Sequence, residues 1–224
     1  MALLKRHLGE RPAGWEAAGL TRGQRSLKRV FDLIVSLLLL APLLPVILLA
    51  AWAAARDTGA SGFFLQERIG RGGRAFRVVK LRTMRPVAGS MVTTLGDPRI
   101  TRFGRLLRRS KLDELPQLFN VLAGQMSFVG PRPDVPGFAD VLSDEGREIL
   151  SVRPGITGPA TLKYRNEEAL LAGVADPERY NSEVIFPDKV RLNRDYVRHW
   201  SFTMDLVYLW RTVFPAPHHE TTDT

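Results

Sequence analysis

The stretch LIVSLLLLAPLLPVILLAAWAAA, residues 33–55, decides the fold of this 224-residue chain. It holds about 23 residues without a charge, which is enough for a helix to span the hydrocarbon core of a bilayer. Two prolines, Pro42 and Pro45, lie near its middle, and each removes a backbone donor and crowds the preceding turn. The pattern therefore predicts a membrane helix that is broken at Pro42.

Both flanks of this apolar stretch are basic. The basic residues before it are Arg22, Arg25, Lys28 and Arg29, and those after it are Arg56, Arg68, Arg71, Arg74, Arg77, Lys80 and Arg82. Basic flanks prefer the cytoplasmic side, so a through-span would leave one flank on the unfavoured side. A re-entrant helix over residues 25–58, which enters and leaves by the same face, satisfies both. A kinked single span, a signal peptide and a buried helix of a soluble core stay open as alternatives.

The composition points to an anionic partner. Lys and Arg number 32 against 23 Asp and Glu, a net charge of +9, while 45% hydrophobic residues suffice for a packed core. The basic residues cluster beside the apolar stretch and no nucleic-acid-binding motif is recognisable, so membrane lipids are expected as partners and nucleic acid is not. The lack of cysteine excludes a disulfide scaffold, a thiol nucleophile and a zinc ribbon.

Behind the apolar stretch, the sequence predicts a mainly helical α+β domain over residues 59–194. Residues 61–84 read as two strands around Gly70-Arg71-Gly72-Gly73, which predicts a small β-hairpin, although the glycines could also cradle a phosphate. Residues 99–112 have apolar positions at helical spacing among arginines, which predicts an amphipathic helix. That helix could lie on anionic headgroups or simply expose its charges to solvent.

Further helical segments follow. Residues 115–122 predict a short helix that ends at Gly124, and residues 135–152 also read as helical. Residues 195–215 predict a C-terminal amphipathic helix, which either lies at the membrane interface or packs on the core. Residues 1–24 and 216–224 are interpreted as tails.

One acidic pair, Asp113-Glu114, follows the arginine-rich helix. The pair could have a purely structural role, in which Asp113 caps the amino end of the next helix and Pro116 lies in its first turn. Its functional interpretation is a phosphoryl-transfer site. Mg²⁺ favours one or two carboxylates beside substrate phosphates, and arginines bind phosphate oxygens in a bidentate manner. A carboxylate can also attack phosphorus and form an acyl phosphate. Spacing alone leaves both interpretations open.

Four segments of the chain resemble the bacterial sugar transferase family, the monotopic phosphoglycosyl transferases. They are KRVFD (residues 28–32) before the proline-containing stretch, KLRTM (residues 80–84), DPRITRFGRLLRRSKLDELPQLFNVLAGQMSFVGPRP (residues 97–133) and RPGITG (residues 153–158). The C-terminal DYVRHWSFTMDL is also similar, so the resemblance covers about residues 28–214. The family often has Ser-Pro at the helix break, where this chain has Ala41-Pro42.

The resemblance implies a monotopic enzyme on the cytoplasmic face of the bacterial inner membrane. Such enzymes transfer a sugar-1-phosphate from a UDP-sugar to a polyprenyl phosphate, usually undecaprenyl phosphate, and release UMP. By this resemblance Asp113 is the nucleophile that takes the phosphosugar covalently, and Glu114 assists with Mg²⁺ or positions the acceptor. Both carboxylates are candidate Mg²⁺ ligands. The candidate phosphate-binding residues are Arg132 and Arg153, with Lys80, Arg82 and Arg99 as weaker candidates.

Two other functions stay open at this point. A glycosyltransferase would move the sugar alone and release UDP. A basic, non-enzymatic scaffold at the membrane surface would need only the charge. The sugar and the glycan pathway also stay open, exopolysaccharide biosynthesis among them, and a homodimer is compatible with the sequence.

Overall fold

The computed structural model describes residues 19–86, 97–142 and 144–214, and these ranges are mainly helical. The helices are α1 (Arg22–Thr58), α2 (Arg102–Arg109), α3 (Gln117–Leu122), α4 (Pro159–Lys163), α5 (Glu167–Ala172), α6 (Pro177–Tyr180), α7 (Phe186–Arg198) and α8 (Phe202–Val213). The strands are β1 (Phe63–Ile69), β2 (Ala75–Leu81), β3 (Ser127–Val129) and β4 (Gly155–Thr157). The predicted class, mainly helical with a small antiparallel hairpin, is confirmed.

The apolar stretch forms one long helix, α1, which begins at a capping box. The Thr21 hydroxyl accepts from the backbone N–H of Gln24, and the Gln24 side chain accepts from the N–H of Thr21 at 2.8 Å. Pro42 and Pro45 both lie inside α1, and the helix continues through them. The predicted break at Pro42 is therefore not observed. The fixed φ of proline suits a helix, and each proline removes one hydrogen bond while the neighbouring bonds remain.

One face of α1 packs against the rest of the protein along nearly its whole length. Half-buried Leu40 and Leu43 in its middle contact the main core. The remaining faces are apolar and exposed, as at Trp52, which is 59% exposed. α1 is long and apolar enough to cross a bilayer. The fully buried residues of the packed face are Lys28, Asp32, Ser36, Ile47, Ala51, Ala54 and Thr58.

Polar side chains on this face tie the start of α1 to the protein. Lys28 Nζ donates to Asp205 Oδ2 at 2.5 Å, and both side chains are buried. Tyr196 and Trp200 also donate to the Asp205 carboxylate, at 2.8 and 3.1 Å. Asp32 Oδ1 accepts from a hydroxyl and a backbone N–H of β3, both at 3.1 Å. Lys28 and Asp32 thus face protein partners, and the exposed face of residues 33–55 stays apolar.

β1 and β2 form the predicted hairpin, with Phe63 opposite Leu81 in an antiparallel register. Lys80 lies opposite Phe64, and Arg68 follows Phe64 by four residues on the same strand. Because side chains alternate along a strand, Lys80 and Arg68 share one face of the hairpin. That face turns two cations toward α3 and the turn before it.

β3 and β4 form a parallel pair, with Ser127 opposite Gly155. A Cβ on Gly155 would lie 2.1 Å from the backbone nitrogen of Gly130, so a glycine is required at this close approach. Arg132 follows the carboxyl end of β3, whereas Arg153 precedes the amino end of β4. The two predicted arginine turns nevertheless touch, because the Gly155 N–H donates to the Pro131 carbonyl at 2.8 Å. Their side chains bond elsewhere, Arg132 to Glu114 and Arg153 to the Gly124 carbonyl.

The C-terminal amphipathic segment differs from the prediction over residues 195–215. Its first four residues complete α7, and a separate helix, α8, begins at Phe202. The Ser201 hydroxyl accepts from the N–H of Met204 at 3.2 Å, which caps α8 and explains the interruption. Residues 135–152 contain two 3₁₀ segments, Ala139–Val141 and Asp144–Ser151. α1 begins at Arg22, inside the predicted tail, while residues 1–18 and 215–224 lie outside the described residues.

The loop after α1 passes close to its last turns, and this contact gives a stability prediction. A Cβ on Gly62 would lie 1.8 Å from the carbonyl oxygen of Ala51. We expect Gly62→Ala to reduce the free energy of unfolding by about 1–3 kcal/mol, the usual cost of overpacking. The measurement is thermal unfolding of the full chain in detergent. Gly23→Ala is the matched control, because nothing lies within 4 Å of that added Cβ. Equal unfolding temperatures for both variants would contradict the close approach.

Candidate active site

The acidic pair lies on a tight turn directly after α2. Thr101 caps α2 by accepting from the N–H of Gly104 at 2.8 Å. After α2, Lys111 has a φ of 56°, the left-handed conformation, which among the described residues only it and glycines adopt. Such a backbone conformation costs energy and is often found at functional sites. The following 3₁₀ turn, Leu112–Glu114, carries both carboxylates beneath the cationic face of the hairpin.

Asp113 is buried, with 8% of its surface exposed. Its Oδ1 has no hydrogen-bond partner among the residues that the structure describes. Asp113 does not cap the next helix, because Pro116 occupies the cap position of α3 and no side chain caps it. The local capping interpretation is therefore wrong. Burial raises the pKa of Asp113 and the charge of Glu114 adds to this, while Lys80 and Arg108 oppose it.

Glu114 is held by two cations. Arg132 binds both carboxylate oxygens, at 2.5 and 3.3 Å, and Lys80 Nζ lies 3.5 Å from Oε1. Burial alone would raise the pKa of Glu114, but the charges of Arg132 and Lys80 hold it well below its usual range. Burial lowers the pKa of Lys80 to about 8, although Glu114 opposes the change. The two adjacent carboxylates thus differ in their surroundings. Two cations neutralise the charge of Glu114, whereas Asp113 has an oxygen without a hydrogen-bond partner.

Two arginines near the pair did not stand out in the sequence. Arg68 is near enough to Arg132 and Glu114 for their charges to act on it, and burial lowers its pKa to about 10. Its register with Lys80 in the hairpin is the signal that would have identified it. The charge of Arg108 acts on Asp113, and Arg108 also pairs with Glu168. Nothing in the sequence distinguishes Arg108 from the other arginines of α2.

A second layer of charges surrounds Arg132 on the side of α5 and α7. Burial raises the pKa of Asp134 to about 6, although Lys189 and Arg68 oppose the change. Lys189 Nζ donates to both carboxylate oxygens of Glu167 at 2.7 Å. The charges of Glu167 and Asp113 act on Arg132 as well, after that of Glu114. The segment between β4 and α7 therefore reaches the site, which the sequence did not reveal.

The five predicted phosphate-binding residues do not all meet. Arg132 and Lys80 join the acidic pair. Arg82 donates to the carbonyl of Ser61 at 2.6 Å, along the edge of the hairpin. Arg99 forms an ion pair with Asp97 at 2.6 Å. Arg153 donates to the carbonyl of Gly124 at 2.8 Å, near the other end of β3.

The residues present fit Mg²⁺ only if the ion takes further ligands from elsewhere. Within the described ranges, no group of three or more His, Cys, Asp or Glu side chains could hold a metal ion. Mg²⁺, however, commonly uses one or two carboxylates and completes its shell with water and substrate phosphates. The unpartnered Oδ1 of Asp113 and the neighbouring carboxylate of Glu114 supply such a partial donor set.

The chemistry of this site suits attack on phosphorus. A carboxylate oxygen without a hydrogen-bond partner is a competent nucleophile once ionised. The charges of Lys80, Arg108 and Arg132 act on Asp113, which offsets the repulsion between a carboxylate and an anionic phosphate.

Sequence comparisons place the chain among proteins of one kind. It is 39% identical over 192 residues to the UDP-glucose:undecaprenyl-phosphate glucose-1-phosphate transferase of Caulobacter vibrioides, covering 83% of this chain and 68% of that protein. It is 33% identical over 204 residues to the exopolysaccharide production protein ExoY of Sinorhizobium fredii, covering 83% of each chain.

Longer relatives share the same region. The undecaprenyl-phosphate glucose phosphotransferase of Komagataeibacter xylinus is 38% identical over 196 residues, which cover 83% of this chain and 35% of that protein. The model of the family described as bacterial sugar transferase matches residues 23–217, a range that includes α1 from its second residue, the acidic pair and α8. The chain therefore belongs to the bacterial sugar transferase family.

Proposed function

We propose that the protein is a phosphoglycosyl transferase that moves a sugar-1-phosphate from a UDP-sugar to undecaprenyl phosphate or a related polyprenyl phosphate and releases UMP. The observation that carries the proposal is the unpartnered carboxylate oxygen of Asp113 beside an arginine-bound Glu114. The names of the Caulobacter and Komagataeibacter relatives, both transferases that use undecaprenyl phosphate, support it.

In the first step, ionised Asp113 attacks the phosphorus that carries the sugar. The bond from this phosphorus to the bridging oxygen breaks, and the bridging oxygen leaves with UMP. The sugar phosphate is then joined to Asp113 as an acyl phosphate. Arg132 and Lys80 lie beside the attacked centre and would stabilise the negative charge that develops on its oxygens.

In the second step, a phosphate oxygen of the polyprenyl phosphate attacks the same phosphorus. The bond to Asp113 breaks, the free carboxylate is regenerated, and the product is a polyprenyl diphosphate sugar. Because one activated phosphate is exchanged for another, the covalent intermediate lies at similar energy to both ends of the reaction. Glu114 stays ionised between Arg132 and Lys80 throughout.

Mg²⁺ is the cofactor that we propose. Asp113 and Glu114 would hold it together with the diphosphate of the donor, and it would neutralise charge on the phosphate oxygens.

We further propose that the protein is monotopic and lies on the cytoplasmic face of the inner membrane. Both ends of α1 contact the same folded body. Near its start, Arg29 donates to the last carbonyls of α3 at 2.6 and 2.8 Å. Near its end, Ala54 packs against Leu81 and Leu107. A folded body lies on one side of a bilayer, so this supports a helix whose two ends lie at one face. Because α1 is continuous, it would have to bend at its two prolines to enter and leave by that face.

Two other elements would lie at the same membrane surface. α2 exposes Leu106 among arginines, and α8 exposes Trp210, which is 64% exposed, together with Leu206. Amphipathic helices with basic and aromatic residues favour the headgroup region. The active site would then be held at the height of the acceptor phosphate.

The nucleotide that is released tests the proposed reaction. We expect the purified full chain, with Mg²⁺, undecaprenyl phosphate and a panel of UDP-sugars, to release UMP with one or a few donors. Chromatography of the nucleotides gives the result. Release of UDP would instead mean that the sugar moves without its phosphate, as in a glycosyltransferase. A chain that releases neither nucleotide with any donor would favour the scaffold interpretation.

Labelling of single cysteines tests the proposed topology. The chain has no cysteine, so Gly23→Cys and Asp57→Cys each introduce one thiol, before and after the apolar stretch. We expect a thiol reagent that does not cross the inner membrane to label neither variant in intact cells and both after lysis. A protein with a periplasmic cysteine is the positive control. Labelling of only one variant in intact cells would establish a through-span.

A further inference from the structure

A second cationic pocket lies at the amino end of the β3–β4 ladder, away from the acidic pair. It is a small pocket that is open to solvent. The start of α1, the hairpin turn and the loop before β4 meet there. Its charged and hydroxyl lining residues are Arg25, Lys28, Asp32, Arg71, Ser151 and Arg153, with Ser127 at the start of β3.

Several polar atoms of this pocket are buried without partners. Arg25 Nε, Ser151 Oγ and Asp32 Oδ2 have no hydrogen bond to any residue that the structure describes. A Cβ on Gly19 would lie 2.9 Å from Ser151 Oγ and 3.5 Å from Arg25 Nη2, so these two groups lie beside the same glycine. Buried donors are normally satisfied, so unpartnered ones beside an open pocket indicate a ligand that completes them.

The charge of the pocket is positive. Four cations line it, and the carboxylates that face them are Asp32 in the lining and Asp205, which is bonded to Lys28. Burial lowers the pKa of Arg153, and the charges of Arg71 and Arg29 lower it further while Asp32 opposes them. A bound anion would relieve this repulsion and would receive hydrogen bonds from Arg25 and Ser151.

We infer that this pocket binds the phosphate group of a second anionic ligand, distinct from the substrates at the acidic pair. Arginine matches phosphate because its planar fork donates two hydrogen bonds and stays charged. Ser127 lies at this pocket, and Arg132 at the acidic pair is five residues farther along the chain. An extended chain of that length spans at most about 17 Å, so the two sites are close. The lining of this pocket shares no residue with the acidic pair, Lys80 or Arg132.

The position suggests where such a phosphate would come from. Arg25 and Lys28 flank Leu27, the first of the exposed apolar residues of α1. If α1 inserts as proposed above, the pocket lies at headgroup height, and a lipid phosphate can reach it. A soluble phosphate compound offers the same chemistry. The site itself requires only the phosphate group.

The test measures binding to the full chain in an uncharged detergent. Two probes carry the shared chemistry, dihexanoyl phosphatidic acid for the lipid and inorganic phosphate for the soluble source. Ligands that bind the folded state raise its unfolding temperature, so each titration gives an apparent dissociation constant. We expect Arg25→Gln and Arg71→Gln each to weaken binding by about tenfold, equivalent to one charge-assisted interaction.

Three control variants make the result specific. Arg22→Gln and Arg74→Gln remove exposed arginines one turn before Arg25 and on the same hairpin turn as Arg71. We expect both to bind as the unchanged chain does. Arg132→Gln disables the acidic-pair site, and the probe should still bind to it. This separates the pocket from the proposed reaction, since loss of catalysis leaves this binding unaffected.

Each outcome has a defined meaning. Binding of both probes with the expected arginine dependence supports a site for soluble phosphate, and binding of the phosphatidic acid alone supports a lipid headgroup. Equal affinities in Arg25→Gln, Arg71→Gln and the unchanged chain would overturn the inference. So would a loss confined to Arg132→Gln, or an equal loss in Arg74→Gln. Arg71 lies on an exposed turn, so its variant keeps the test valid even if Arg25→Gln fails to fold.

Discussion

Asp113→Asn abolishes turnover while the protein stays folded. We expect kcat to fall by at least about a thousandfold, the scale of the loss when an enzyme nucleophile is removed. The unfolding temperature should be unchanged or higher. Burial raises the pKa of Asp113, so the folded state disfavours its ionised form. An asparagine side chain is neutral and avoids the free-energy cost of burying that charge. Release of nucleotide and thermal unfolding are the two measurements.

A control carboxylate separates the nucleophile from a general charge effect. Asp195 is 61% exposed on α7, and Asp195→Asn changes the net charge by the same amount. We expect that variant to keep normal turnover. If Asp113→Asn kept a tenth or more of the original rate, Asp113 would not be the nucleophile.

The second large effect concerns the pair of Glu114 and Arg132. Arg132→Gln removes a bidentate partner and leaves the buried Glu114 carboxylate with Lys80 as its remaining close cation. We expect the free energy of unfolding to fall by about 2 kcal/mol. The loss is smaller than for a fully buried ion pair because Arg132 is partly exposed. We also expect kcat/KM to fall by about a hundredfold or more, because a donor to the transferring phosphate is lost.

A double-mutant cycle isolates the contact. Glu114→Gln combined with Arg132→Gln removes both members of this ion pair and leaves Lys80 without the Glu114 carboxylate, so the double variant should regain only part of the stability while it stays inactive. Arg179→Gln breaks an exposed pair with Glu183 and should change stability by less than about 1 kcal/mol. Additive losses of stability from Glu114→Gln and Arg132→Gln would contradict a direct coupling between the two side chains.

Local patterns predicted the elements that depend on neighbours in sequence. The hairpin around Gly70, the arginine-rich α2 and the end of α3 at Gly124 all follow from alternation, helical spacing and glycine. The break at Pro42 failed as a prediction because a proline removes only one bond from a long hydrogen-bonded helix. The single helix over residues 195–215 failed because Ser201 caps a new helix inside it.

The candidate site depends on contacts between residues that are distant in the sequence, and these contacts could not be predicted from local patterns. The acidic pair stands out in the sequence and Arg132 follows from the family resemblance. The bidentate contact between Glu114 and Arg132 joins residues 18 positions apart, and no local pattern encodes it. The resemblance assigns Arg153 the same phosphate-binding role as Arg132, and each arginine stands in a turn with proline and glycine. The structure brings the two turns into contact but directs Arg132 to Glu114 and Arg153 to the Gly124 carbonyl. The parallel pairing that joins the turns has no signal in two three-residue strands.

The most direct test of the covalent mechanism is a single turnover in the absence of acceptor. The purified chain is mixed with Mg²⁺ and the UDP-sugar donor, and both the released nucleotide and the intact protein mass are measured. We expect one equivalent of UMP per active enzyme and a sugar phosphate attached to Asp113. Addition of undecaprenyl phosphate should then remove the sugar phosphate from the protein. Asp113→Asn should give neither product. Turnover with acceptor but no UMP and no adduct without it would contradict the covalent mechanism.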